Sequence, residues 1–528
     1  MAELPYRIKR TEKIFPAKAP TGVTITKLSI IDATVARFGP CSAIWFYDRS
    51  EKVNANDPIL FERLEEALKQ TLNDYPHYSG QLFWAPKELV EGAAKTYHYG
   101  RPIVMYGAPG DPGVELVIAE DSRELSAIVP SKEERSTAKQ VWNATDFPQD
   151  DFVSKTKLAF FSLNEFEGLP GVSIQLTAFK CGGFAISVKL THCLSDALCL
   201  THFAHLWAEN SQVLFGGRIS EKRSPPVFNP SLLDEYANLT TKGPDPEMVK
   251  KARDLPMHRY DWWATDAPGY PDWATASSNA TKPSEKELAH IELSPGTFPP
   301  WPTWDLSASI EHLQVRFKAE AVAKMKKAAE STLPESLRGQ RISRLDAALA
   351  HIWILINRAR QYDDLQDEVY IDLSLGLRNR VSPPLPDSFV GSPMILGYVP
   401  MTGSEATKAT IGSIAGSIRE MTNRFTPEIV TACLHDAAYE VCPQRFWQAF
   451  VGSRHMLVTS WLRTGAYELD FCATQQQARY VQGVMPRLDG LVQVMDIAET
   501  GDFDISVYLE KETSQRLVQD PMLKAYGI

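Results

Sequence analysis

A mixed α/β (α+β) protein in two domains is the fold class that this sequence predicts, and three observations predict it. The chain has 528 residues, more than one ordinary hydrophobic core holds, so two domains of similar size are expected. Strand-like and helix-like apolar patterns mix along it without the regular alternation of a doubly wound sheet. Between about 215 and 304 sustained periodicity stops, and a stretch rich in Pro, Ser, Thr and Trp separates two patterned halves. The expected organisation is an N-terminal domain over 1–214, a crossover segment over 215–304 and a C-terminal domain over 305–528.

Taken in order, the first half opens with an apolar strand over Ser42 to Tyr47. Leu60, Leu64, Leu68 and Leu72 recur at i, i+4 steps and predict an amphipathic helix over Pro58 to Leu72. A Pro/Gly turn at Asp74 to Trp84 leads into another strand. Strand-like runs follow at Glu115 to Ala119, Lys157 to Leu163 and Val172 to Lys180. The stretch FAISVKLTHCLSDALCLTHFAHLW, Phe184 to Trp207, then changes period within itself. Phe184, Ile186, Val188 and Leu190 alternate as on a half-buried strand, whereas Leu194, Leu198, Phe203 and Leu206 repeat at helical spacing.

The crossover segment carries Trp262, Trp263, Trp273, Trp301 and Trp304. A long stretch without a core of its own is a linker or a functional loop. Its tryptophans either line an acceptor entrance or pin the loop to the body. The second half restarts with a strand over Glu311 to Phe317 and a helix over Ala319 to Ser331. A second helix, Ser343 to Arg360, has Ser343 as N-cap and Leu345, Leu349, Ile352 and Leu355 on one side. Val369 to Ser392 reads as a strand entering a proline-rich turn. Later strands are expected at His455 to Ser460, Gly490 to Asp496 and Phe503 to Leu509, before a short closing helix.

Composition narrows the function. The net charge of -10 argues against a nucleic-acid partner, because a phosphate backbone requires a basic surface. A hydrophobic fraction of 44% with 23% charged residues describes a soluble globular chain. The seven cysteines show no C-x-x-C pairing, so neither a zinc site nor a disulfide framework is expected. His202 and His205 stand at i, i+3 without an evident third ligand, which leaves no metal site in view. The N-terminus lacks the apolar run of a signal peptide and no stretch is long enough to span a bilayer. A cytoplasmic monomer is the expectation, and the sequons at Asn143, Asn238 and Asn279 are read as chance matches.

His192 sits where strand period gives way to helical period, and Asp196 follows four residues later. A strand end opening into a helix presents a side chain at the lip of a sheet, which makes His192 a candidate general base. The bland alternative is a His capping a buried junction with a solvated Asp on the next turn. Arg341, Ser343 and Arg344 cluster at the start of a helix and form either a phosphate site or a solvated basic surface.

These residues lie in a pattern that resembles the BAHD-type coenzyme A-dependent acyltransferases, in particular their fungal branch of trichothecene 3-O-acetyltransferases. The family's H-x-x-x-D-G is similar to His192-Cys193-Leu194-Ser195-Asp196-Ala197. Its early Y-P-x-x-x-G-x-L is matched by Tyr75 to Leu82, and its D-A-L-x-A-x-x-W helix by Arg344 to Arg360. The strand and turn at Leu377 to Ser392 resemble R-x-R-x-x-P-P-L-P-x-x-Y-x-G-N, with Gly391 and Ser392 in place of Gly-Asn. Thr459-Ser460-Trp461, Tyr467 and Asp470-Phe471 resemble T-S-W…Y-x-x-D-F-G-W-G, which here departs into Cys472-Ala473-Thr474.

The resemblance implies two chloramphenicol-acetyltransferase-like domains with a channel between them. It implies acyl transfer, most simply of acetyl, from acyl-coenzyme A to a hydroxyl or amine of a secondary metabolite. Acyl-coenzyme A is then a co-substrate, and no permanently bound cofactor is implied. His192 is the implied base and Asp196 a salt-bridged structural partner. Thr459 and Trp461 stand where the family places donors for the carbonyl oxygen. Three rivals remain. A condensation-type domain has a tandem His, whereas Thr191 precedes His192 here. A cyclase or isomerase reuses the cleft without a donor, and an inactive binding protein retains the residues by accident.

Overall fold

The computed structural model describes residues 5–86, 99–218, 223–240 and 242–527. Two large sheets face each other. The six-stranded sheet runs β1 (Tyr6–Ile14), β6 (Val114–Asp121), β8 (Val172–Phe179), β9 (Phe184–Leu190), β3 (Cys41–Tyr47) and β16 (Tyr480–Gly483). The seven-stranded sheet runs β13 (Met394–Thr402), β12 (Glu368–Gly376), β15 (His455–Ser460), β17 (Leu491–Ile497), β18 (Asp502–Glu510), β11 (Ile310–Phe317) and β7 (Val141–Asn143). Three short strands, β2 (Thr24–Lys27), β5 (Pro102–Tyr106) and β4 (Gln81–Trp84), form a small third sheet. In the large sheets β6–β8, β12–β15 and β15–β17 pair in parallel, and every other pair is antiparallel. Mixed sheets of this kind, with helices packed on them, make the α+β architecture.

Each half lends a strand to the other's sheet. β7, ahead of the crossover, pairs with β11 from Leu313↔Asn143 to Val315↔Val141. β16, late in the chain, pairs with β3 from Tyr480↔Phe46 to Gly483↔Ala43. The Arg135 guanidinium pairs with Asp504 across the same junction, and the Tyr467 hydroxyl donates to the other Asp504 oxygen at 2.9 Å.

The helices cover the outer sides. α1 (Ile30–Thr34) is one turn, closed by a capping box between Ser29 and Asp32. α2 (Ile59–Thr71) and α3 (Ala197–Leu214) pack together over the first sheet. α5 (Ala319–Ser331), α6 (Arg344–Ala359) and α7 (Ile411–Asn423) cover the second, and α9 (Lys511–Gln519) closes it. Val369, Ile371 and Leu373 of β12, Met456 and Val458 of β15, and Val492 and Val494 of β17 point into that helical core. The opposite side chains of these strands point to the other face, as alternation requires, and on that side Met394 and Leu396 of β13 border a small cavity with Thr34, Val35 and Phe38 of the first half. Ser374, Met394, Leu457 and Thr459 keep partial exposure there.

Some readings from the sequence need correction. β9 is buried on both faces, because Phe46, Phe147, Phe152 and Phe179 cover the side expected to meet solvent. Lys157 to Leu163 is no strand. Phe160 takes a left-handed backbone at φ 66° and its ring stacks on Trp84 at 4.1 Å, so Leu158, Phe160 and Leu163 are buried by packing around a tryptophan while Phe161 faces solvent. The crossover is not bare of structure. α4 (Pro246–Arg253) packs on α8 (Pro427–Ala438), and β10 (Tyr260–Asp261) pairs with β14 (Phe446–Trp447). Trp262 and Trp301 are buried with Phe450 in their own cluster, and Trp263 is buried beside Val441 and Cys442. These three tryptophans are anchors, while Trp273 is exposed. Among the described residues no helix is long and apolar enough to cross a membrane.

Candidate active site

β9 ends at Leu190, one 3-10 turn carries His192, and α3 begins at Ala197. Asp196 is the N-cap of α3, its Oδ1 accepting from Cys199 N at 2.8 Å. The same carboxylate takes both arms of Arg378, with Nη1 to Oδ2 at 2.6 Å and Nη2 to Oδ1 at 3.1 Å. Both residues are buried. Arg378 follows β12 and also donates to Phe389 O at 2.8 Å, so the pair ties the His192 turn to the proline-rich turn of the other half. Arg380 does not join it, donating instead to the carbonyls of Thr422 and Phe425.

The turn at Gly391 and Ser392 holds the imidazole. Ser392 N donates to the buried Asp32 Oδ1 at 2.6 Å, and Asp196 N donates to Gly391 O at 3.1 Å. Gly391 has φ 142°, and a Cβ there would lie 2.8 Å from Asp32 Oδ1. The Ser392 hydroxyl donates its single proton to the His192 carbonyl. Toward His192 Nδ1, 3.3 Å away, that oxygen is therefore an acceptor. That arrangement corresponds to the tautomer with the hydrogen on Nδ1 and the lone pair on Nε2. Desolvation holds the His192 pKa below the ordinary histidine value, and Phe38 packs edge-on against the ring at 5.5 Å. The imidazole is thus neutral near pH 7 while the residue keeps partial exposure. Burial, offset in part by hydrogen bonds, pushes the Asp32 carboxyl up to about 6.

Behind Phe38 lies a small cavity bordered by Thr34, Val35, Met394 and Leu396. A larger one of about 70 Å³ shares Thr34, Phe446 and Gln448 with it and extends to His258 and Arg259.

Thr459 stands half-buried on the cleft face of β15, beside Gln493 of β17. Trp461 follows the end of that strand and is packed in the cluster that also holds Cys193 and Leu194. Among the described residues no hydrogen bond joins His192 to either. With the Gln493 amide oriented so that it donates to Gly483 O at 3.3 Å, its oxygen accepts from Trp461 Nε1 at 3.2 Å. The indole N–H is therefore engaged within the protein and is not a free donor to the cleft.

The expected phosphate cluster is also partly committed. Ser343 caps α6 in a capping box with Asp346, whose carboxylate pairs with Arg419 at 2.5 Å. The positive end of the helix already holds an anion of its own. Arg341 and Arg344 are exposed, and Arg344 lies over the Phe503 ring at 5.5 Å. His202 and His205 do not converge: His202 Nδ1 meets the Tyr75 hydroxyl at 3.0 Å, and His205 Nε2 meets Thr464 O at 3.2 Å.

The loop after Phe471 is anchored although its glycines are gone. Asp470 accepts from the backbone of Cys472, Thr474 and Gln475, and Ser211 Oγ donates to Phe471 O at 2.6 Å.

The model of the Transferase family matches residues 137–523. The chain belongs to that family. Within it the match is to BAHD-type acyltransferases. Acyltransferase AFT15-1 of Alternaria alternata is 25% identical over 98% of this chain and 97% of its own length. Acyltransferase abl6 of Leptosphaeria maculans is 23% identical over 88% of this chain and 85% of its own. Among solved structures, F. sporotrichioides TRI101 complexed with coenzyme A and T-2 superposes with a TM-score of 0.65 at 18% identity, covering 95% of this chain and 99% of that one. Vinorine synthase superposes with a TM-score of 0.60 at 15% identity, covering 97% and 96%. These likenesses establish the fold.

Proposed function

We propose that this acyltransferase moves an acyl group, acetyl in the simplest case, from acyl-coenzyme A to a hydroxyl (or an amine) of a small secondary metabolite. The observation that carries the reading is the setting of His192, whose Nδ1 lies 3.3 Å from the Ser392 hydroxyl and whose turn is tied to the other half through Asp196 and Arg378; on this reading Nδ1–H faces Ser392 and Nε2 is the base, in a cleft between the halves 1–214 and 305–528. The crossover 215–304 flanks that cleft. In support, solved relatives of this fold bind coenzyme A, and one binds the trichothecene T-2 with it.

His192 Nε2 takes the proton as the acceptor oxygen attacks the thioester carbonyl. The carbon–oxygen bond forms, the carbonyl oxygen becomes an oxyanion, and the Thr459 hydroxyl donates to it. Collapse breaks the carbon–sulfur bond, and the imidazolium returns its proton to the leaving thiolate. Asp196 keeps the His192 turn in place and transfers no proton. Trp461, held by Gln493, fixes the strand end that presents Thr459. Arg341 and Arg344 are the candidate phosphate contacts, with Ser343 serving the helix. Replacing both arginines by alanine should raise KM for acetyl-coenzyme A and leave kcat near normal.

His192→Ala is expected to lower kcat by about two to four powers of ten in a folded protein. The assay is the gain of one acetyl unit by candidate metabolites, followed by mass spectrometry. A near-normal rate in the variant removes His192 as the base, and turnover without a donor assigns the cleft to a cyclase or isomerase.

A further inference from the structure

Away from His192, on the same face of the seven-stranded sheet, His258, Asp372 and His455 converge. Asp372 comes from β12 and His455 opens the neighbouring β15, while His258 arrives from the crossover just before β10. Their ligating atoms all lie within 4.8 Å of one another. His455 Nδ1 is 2.7 Å from Asp372 Oδ2, and His258 Nε2 is 3.1 Å from Asp372 Oδ1. His258 is 8% exposed, and the other two are fully buried at 0%.

We propose that these three residues form a divalent transition-metal site, of the zinc and cobalt class, that clasps the crossover segment to the sheet. Hydrogen bonding alone does not satisfy the cluster. His258 Nε2 and Asp372 Oδ1 are buried 3.1 Å apart, in contact with each other but without hydrogen-bonding geometry, and His455 Nε2, the nitrogen turned away from Asp372, is buried without a partner. Ligands about 2.0–2.1 Å from a tetrahedral zinc stand about 3.3 Å apart, and the two His–Asp contacts here are 2.7 and 3.1 Å with all three ligand atoms inside 4.8 Å, so the His455–Asp372 contact must open slightly to admit an ion. Two imidazoles and one carboxylate suit zinc, cobalt or nickel rather than magnesium or calcium, which take oxygen ligands.

The ligands are also held in advance. The His258 ring is sandwiched between Tyr398 at 4.0 Å and Tyr260 at 4.5 Å, both within 14° of parallel. His258 borders the cavity of about 70 Å³, which gives an approach to the cluster from the His258 side. The site is separate from the proposed chemistry. His455 and Thr459 share one strand face four residues apart, about 13 Å along the strand. With the metal on Nδ1, the neutral His455 ring carries its hydrogen on Nε2 instead, so coordination needs a change of tautomer and no net loss of a proton. The three ligands are 114 and 83 positions apart in the chain, which is why local spacing shows none of this (His258 to Asp372 and Asp372 to His455).

The experiment uses the full chain, stripped with EDTA, dialysed, and given cobalt(II) chloride or zinc chloride before gel filtration and metal analysis. Wild type should retain about one equivalent. The cobalt form should show the strong visible bands of a low-coordinate site, and zinc but not magnesium should raise the thermal midpoint. Asp372→Asn and His258→Gln should each lose the bound metal. Should either fold poorly, the wild-type titration and its zinc-dependent midpoint decide alone. Wild type that retains no cobalt and no zinc after filtration overturns the proposal, as does equal retention by wild type and both folded variants. The result stands or falls independently of His192, because it is read as metal content.

Discussion

Asp196→Asn tests the idea that a buried ion pair positions the His192 turn. The substitution preserves shape and keeps an N-cap oxygen for Cys199 N, so α3 should start as before. It removes the charge opposite Arg378, which is 4% exposed, and it sets an amide N–H₂ against a guanidinium arm now at 2.6 or 3.1 Å from oxygen. Removing one partner of a buried pair costs about 3–5 kcal/mol. The remaining bond from Arg378 to Phe389 O and the retained cap place Asp196→Asn near the low end, about 3 kcal/mol. Asp196→Ala, which also loses the cap, should cost about 1 kcal/mol more. Urea unfolding followed by tryptophan fluorescence measures both. A cycle with Arg378→Met should show a coupling of about 2 kcal/mol, since the double variant leaves no unpaired cation. kcat should fall with Asp196→Asn and recover in part in the double variant if the pair acts through position. A cost under about 1 kcal/mol with additive singles would refute the reasoning.

Ser392→Ala removes the acceptor that holds Nδ1–H and should lower kcat three- to tenfold, as loss of one neutral hydrogen bond of about 0.5–1.5 kcal/mol implies. The pH profile of kcat/KM carries a sign: the base works as neutral imidazole, burial favours that form, and activity should persist on acidification until below the ordinary histidine value of about 6.5. In Ser392→Ala the limb should move to still lower pH, because the lost acceptor favours the charged ring, whereas a purely structural effect would lower the rate without moving the limb. A Cβ at Gly483 would lie 2.1 Å from the nearer end of the Gln493 side-chain amide, so Gly483→Ala should cost about 1–3 kcal/mol in urea unfolding and become nearly neutral in a Gln493→Ala background.

Much of the fold was legible where one local rule suffices. The change of period between Val188 and Phe203 marks β9 and α3, and Ser343 three residues before Asp346 marks the start of α6. Lys157 to Leu163 shows where the rule fails, because a short apolar run is the same string whether it pairs as a strand or packs under Trp84. The candidate site was legible at His192 and Asp196 by motif, but not in what holds them. Asp32, Ser392 and His192 are joined by bonds across 360 and 200 positions, and no spacing announces such a contact. The Gln493 amide was equally invisible, and it alters the reading of Trp461 from a donor into an anchor.

The exchange of β7 and β16 bears on how the cleft can open. Pulling the halves apart would break the β3–β16 ladder at Trp45↔Val481 and Ile44↔Gln482, in sheet that is fully buried. It would also break the buried Arg135–Asp504 pair. Each buried backbone group left unpaired costs about 1–3 kcal/mol, so a hinge through both ladders far exceeds thermal energy. His192 on the first half and Thr459 on the second are thus held in one register by backbone pairing. Movement that admits a substrate must come instead from pieces outside the ladders. Part of the crossover qualifies, but its stretch from His258 to Asp261 is fastened by β10 and by Arg445 to Asp261. The described segments on either side are fastened in turn, by α4 on α8 and by the buried Trp262, Trp263 and Trp301, and a clasp at His258 would add one more tie where the crossover meets the sheet.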